Sequence, residues 1–140
     1  MLITLITIAT GDEAETVKHI VSALLIAVGL INFIPVAGIL SAEILASAYG
    51  IPAPEGDLLI LLRHRALLFG ILGVLIIVSA FRRHLQPTAI LAGLVSMLGF
   101  VALALASGEY GAELRKVVII DLLASVALAA AALLRRKVQR

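Results

Sequence analysis

The chain has 140 residues, 62% of them hydrophobic and 14% charged, with no Cys, no Trp and a formal net charge of +2; its mean hydropathy is +1.17. Soluble domains are roughly half apolar and about a quarter charged, and a small globule keeps too much surface wet to hide so many aliphatic side chains, which excludes a soluble domain. The missing cysteines exclude thiolate metal sites, iron–sulfur clusters and disulfides, and so small a positive surplus leaves no case for nucleic acid as a partner.

In chain order, Met1–Thr10 is apolar but short and runs into the acidic Asp12, Glu13 and Glu15. It lacks the basic start and cleavage-site layout of a signal peptide, so it is read as an interfacial or partly embedded segment. The first span is expected over residues 17–34, stopped by Pro35, which lacks an amide proton and disfavours helix in the residue before it. Residues 35–49 are rich in Ala, Ile and Leu with a single charge, Glu43. They fit either a kinked continuation of the first span or a short helix at the surface. Further spans are expected over 58–81, 89–107 and 117–134, bounded by Pro87, by the Gly108–Gly111 turn and by two basic runs. At the α-helical rise these stretches reach about 27 to 36 Å, enough for a hydrocarbon core. Helices are expected because a chain in lipid must satisfy its own backbone groups and period-2 alternation is absent. The expectation is an all-α fold, a single membrane domain over 1–140 forming a four-helix bundle, with a short interfacial or kinked helix after the first span.

Four spans put both termini on one side. Seven of the 11 Lys and Arg residues then share that side, namely Lys18, Arg82, Arg83, Arg135, Arg136, Lys137 and Arg140. Arg63, Arg65, Arg115 and Lys116 fall on the other. The excess of basic residues on cytoplasmic loops predicts cytoplasmic termini in a bacterial inner membrane.

Charges inside a bilayer are costly and usually face the bundle or a wet cavity. Arg63 lies roughly 9 Å along its helix from Asp57, and Asp121 a similar distance from Arg115, so the two share a depth. Arg63, Ala66, Gly70 and Gly73 form one stripe of small residues, and Asp121, Ala124, Ser125, Ala129 and Ala132 another. Small residues let membrane helices approach closely. The spacing therefore predicts an Arg63–Asp121 pair between the second and fourth spans, either a lock on helix register or the wall of a polar pocket. The basic surplus at Arg63, His64, Arg65, Arg115 and Lys116 favours a pocket for an anionic or polar head group, which Asn32 and Glu43 complete from the same side. His64 also fits a hydrogen-bonded histidine at the interface, and Glu43 a surface residue of a loop helix. Tyr49 and Tyr110 read as interfacial anchors. No two histidines have ligand spacing, so no metal is expected, and no phosphate-binding glycine loop, nucleophile elbow or triad is present.

The residues Tyr49-Gly50, the block from Leu62 to Gly70 (Leu-Arg-His-Arg-Ala-Leu-Leu-Phe-Gly) and the late Asp121 resemble small four-helix bacterial inner-membrane proteins of the broad DoxX-like group, over about residues 17–134. The resemblance implies the four-helix fold and a role for Arg63, Arg65 and Asp121; it implies no reaction. Relatives in that group sometimes carry the label phosphopantetheine adenylyltransferase, but the soluble nucleotide fold and His-x-Gly-His motif of that activity are missing here.

The functional expectation is a small membrane protein that binds a lipid-like or anionic/polar small ligand between helices in the outer third of the bilayer, at Arg63, His64, Arg65, Asp121, Glu43 and Asn32. Membrane lipids are the expected partners, with no cofactor. The alternative is a structural or accessory subunit that assembles with itself or into a larger complex through its Gly/Ala faces. A membrane enzyme acting on an apolar substrate is the less favoured third reading.

Overall fold

The computed structural model describes the backbone over residues 2–138 and the side chains over residues 11–137. Helix α1 spans Leu2–Phe33, α2 Ala42–Tyr49, α3 Gly56–Phe81, α4 Gln86–Ala106 and α5 Ala112–Val138, with 3-10 turns at Ile34–Ile39 and Arg83–Leu85. No strand occurs among the described residues. Four segments are long and apolar enough to cross a membrane: Gly11–Ile39, Gly56–Phe81, Arg83–Ala106 and Ala112–Lys137. The chain is a multi-pass, all-α membrane bundle. The side chains of Met1–Thr10, expected at the interface, lie outside the described residues; from Leu2 the backbone is continuous with α1.

The passage after the first span combines features of both readings of the sequence. Pro35 sits in the first turn of the 3-10 segment, where its missing amide proton costs nothing, so the chain continues to Ile39 with a tightened pitch. It then breaks at Leu40. Ser41 restarts it as the cap of α2, its Oγ accepting from the amides of Glu43 at 3.1 Å and Ile44 at 3.3 Å. Gly50 closes α2 in the left-handed region at φ 64°, where a side chain is strained.

The long helices form a ring in which α1 packs against α3 and α5, and α4 against the same two. α3 and α5 are therefore diagonal. The core is aliphatic, with Leu25, Val28, Ile76, Met97 and Leu128 almost fully enclosed. This arrangement corrects the expected partner of the α3 stripe. Ala66, Gly70 and Gly73 are buried as predicted, but they face α1 and the 3-10 turn rather than α5. A Cβ on Gly73 would stand 2.7 Å from the Gly29 carbonyl oxygen, and one on Gly29 would stand 2.8 Å from that of Gly73; the two backbones nearly touch. On α5 the buried face runs through Val118, Asp121, Ala124, Ser125, Leu128 and Ala131, while Ala129 is exposed.

Candidate functional site

The α1–α3 and α4–α5 connections lie at the same end of the bundle, and near it α1 and α5 part around a cavity of about 250 Å³. Its walls are mostly aliphatic: Ile31 from the end of α1, Ile34 from the 3-10 segment, Leu45 from α2, Val117 and Ile120 from α5. The break at Leu40 makes room for it by letting α2 turn aside and pack against α5. Three strongly polar side chains interrupt this lining, Asn32, Arg65 and Asp121, with Tyr49 and Phe69 beside them.

Asp121 is 8% exposed, and its Oδ2 atom is buried without a hydrogen-bond partner. Its backbone carbonyl is occupied, accepting from the Ser125 hydroxyl at 2.7 Å, but that bond leaves the carboxyl itself free. Arg65 is the charged neighbour that acts on this carboxyl, yet the two do not close an ion pair. The ion pairs among the described residues are Lys18–Glu15 and Lys116–Glu113, each between residues one helical turn apart.

What positions Arg65 is aromatic. Its guanidinium carbon lies 5.3 Å from the ring centre of Tyr49, 5.1 Å from Phe69 and 4.6 Å from Phe100. A cation over an aromatic face gains about 0.5–1 kcal/mol when exposed and about 2 when desolvated. Three rings from α2, α3 and α4 thus pin a planar group whose donors stay available at its edges. Arg65 and Phe69 also border an open groove on the α4 side, with Ser96, Gly99 and Leu103. Asn32 is 4% exposed and donates through Nδ2 to the Val28 carbonyl at 3.0 Å. Its amide oxygen accepts no hydrogen bond among the described residues.

The structure therefore brings Asn32, Arg65 and Asp121 to one cavity and leaves the other sequence candidates outside its lining. The predicted Arg63–Asp121 pair is not formed, because α3 and α5 are diagonal and Arg63 shares a face with Gly70, which meets Val36 of the 3-10 turn. Arg63 acts instead on Glu43, and its own Nε is buried without a partner. His64 is exposed on the outer face of α3. Glu43 is exposed at the start of α2. There the Ser41 hydroxyl, donating at 2.5 Å, and the Glu43 backbone amide hold the carboxyl below the ordinary glutamate value, with a smaller pull from Arg63. Sequence reasoning missed the aromatic frame. Phe69 follows Arg65 by one helical turn and was legible on that spacing; nothing in the sequence links Phe100 to Arg65, and Tyr49 is a cavity wall as well as a residue of the expected interface. No group of acidic and histidine side chains able to hold a metal occurs among the described residues.

Comparison with protein-family models, with curated proteins and with solved structures finds no match to this chain.

Proposed function

We propose that the protein binds a small amphiphilic molecule taken from the membrane, with the apolar body among Ile31, Ile34, Leu45, Val117 and Ile120 and the polar head at Asn32, Arg65 and Asp121. The observation that carries the reading is Oδ2 of Asp121, buried in a cavity wall with no partner. Native proteins pair their buried polar groups, and an unsatisfied acceptor in an apolar cavity is a group that a ligand can satisfy. Binding sites are characteristically apolar concavities with a few convergent polar groups, which describes this one. The distribution of basic residues supports a bacterial inner membrane with cytoplasmic termini, an orientation in which the cavity belongs to the outer part of the bilayer. The block from Leu62 to Gly70 supports membership of the DoxX-like group. Arg65, Phe69 and Gly70 in that block border the cavity or the packing behind it.

Native mass spectrometry of the protein released gently from its own membranes tests the reading. A stoichiometric adduct is expected, retained by Arg63→Ala and lost from Asp121→Asn and Arg65→Gln. Bare protein with nothing beyond bulk lipid would overturn it and move the weight to assembly through the Gly/Ala faces.

A further inference from the structure

The cavity's chemistry restricts what it can hold. Its side walls present one guanidinium, which is always charged and only donates, and one carboxyl whose free oxygen accepts. With both ionised, Arg65 and Asp121 cancel, so a head group of either net charge meets one attractive and one repulsive neighbour in a low-dielectric site. The second buried polar residue, Asn32, has its amide nitrogen committed to Val28, which leaves another acceptor. Size is the other restriction. An apolar cavity of about 150 Å³ takes up one benzene, so a cavity of about 250 Å³ scales to roughly ten non-hydrogen atoms. That is too small for a whole phospholipid.

We infer that the ligand is an electroneutral amphiphile whose head both accepts and donates a hydrogen bond, an aliphatic alcohol of roughly ten non-hydrogen atoms or the hydroxyl end of a longer one. Its oxygen accepts from the guanidinium of Arg65, held by Tyr49, Phe69 and Phe100, and its hydroxyl donates a hydrogen bond to Oδ2 of Asp121. The inference rests on the binding function proposed above and names the ligand class that binding would select. It departs from the anionic head group expected from the basic surplus, because Arg63, Arg115 and Lys116 do not line the cavity and Asp121 does.

Three photoreactive probes test it, each a linear aliphatic diazirine identical to the others except for a terminal hydroxyl, carboxylate or ammonium. The protein is reconstituted in phosphatidylcholine nanodiscs, irradiated with each probe, and the labelled residues are mapped by peptide mass spectrometry. Mapping separates cavity labelling from probe dissolved in the bilayer. The hydroxyl probe is expected to label Ile31, Ile34, Val117 or Ile120, with 1-nonanol competing at least about tenfold better than nonanoate or nonylammonium, the worth of one hydrogen bond to a charged group. Asp121→Asn leaves the wall cationic and is expected to raise cavity labelling by the carboxylate probe about tenfold, while Arg65→Gln does the same for the ammonium probe.

Equal or stronger cavity labelling of the unmodified protein by either charged probe would overturn the inference while leaving a binding site in place. No cavity labelling by any probe would overturn the binding function as well. If either variant fails to assemble, the three probes on the unmodified protein decide alone.

Discussion

A carboxyl oxygen that folding buries without a partner costs on the order of 1–3 kcal/mol, and Asp121 bears that cost on a helix face whose other buried residues are Val118, Ala124, Ser125, Leu128 and Ala131. Substituting Asp121→Asn should therefore leave the empty protein as stable as before or more so, by up to about 1–3 kcal/mol, while abolishing ligand retention. Thermal unfolding in nanodiscs, with and without ligand, reads both effects. A loss of about 3–5 kcal/mol, the cost of breaking a buried ion pair, would show that Asp121 is paired after all. Arg63 and Asp121 are independent for the same geometric reason. The double substitution Arg63→Asp with Asp121→Arg is expected to be no more stable than the sum of its parts, and a mutual rescue in that double-mutant cycle would contradict the diagonal placement of α3 and α5.

At the scale of elements, two contacts hold the site's frame. The Gly29–Gly73 crossing sets how closely α1 approaches α3, since any Cβ there would lie under 3 Å from backbone oxygen. Rigid backbone cannot give way as a flexible side chain does, so Gly73→Leu should cost at least the roughly 1–3 kcal/mol of an overpacked core and lower assembly yield. Gly99→Leu on α4, where nothing lies within 4 Å, should be silent; equal damage from both would show that the crossing is not decisive.

The other contact is the cap of α2. Ser41→Ala removes the acceptor for two amides and should loosen α2 locally by about 1 kcal/mol, seen as faster hydrogen exchange at Glu43 and Ile44. Because the Glu43 carboxyl is held below its ordinary value by the Ser41 hydroxyl, its contribution is full above the unfolded glutamate value and fades as pH falls through the lower folded value. Exchange in α2 should accordingly rise only in acid, and a rise beginning near neutral pH would assign the effect to another group.

Across the whole molecule, the connections and the charges divide the bundle into two unlike ends. Single cysteines read this directly, because the chain has none of its own. In intact cells, an impermeant thiol reagent is expected to label Glu109→Cys and to spare Glu13→Cys, and the reverse pattern would invert the topology.

The fold was legible from hydropathy alone. A bilayer demands long apolar helices with their backbone bonds internal, and the proline, glycine and arginine boundaries fall within a few residues of the observed ends; α3, expected from residue 58, starts at Gly56, whereas α1, expected from residue 17 with no such boundary before it, starts at Leu2. Asn32, Arg65 and Asp121 were legible as candidates because polar atoms inside a membrane are expensive wherever they occur. Their partners were not. A helical face fixes where a side chain points relative to its own axis, but not which neighbour lies there. Arg63 and Arg65 are two residues apart, about 200° around the helix, and only the cyclic order of α1, α3, α4 and α5 decides which of them meets the cavity. Phe69 lies one turn from Arg65 on α3, but Tyr49 and Phe100 reach the guanidinium only through the packing of α2 and α4 against it. What the chain determined by itself was its solvent, its four spans and the few polar groups it could not afford to leave in lipid. Tertiary structure alone decided that Asp121 stays unpaired and that the cavity beside it is walled by opposite charges.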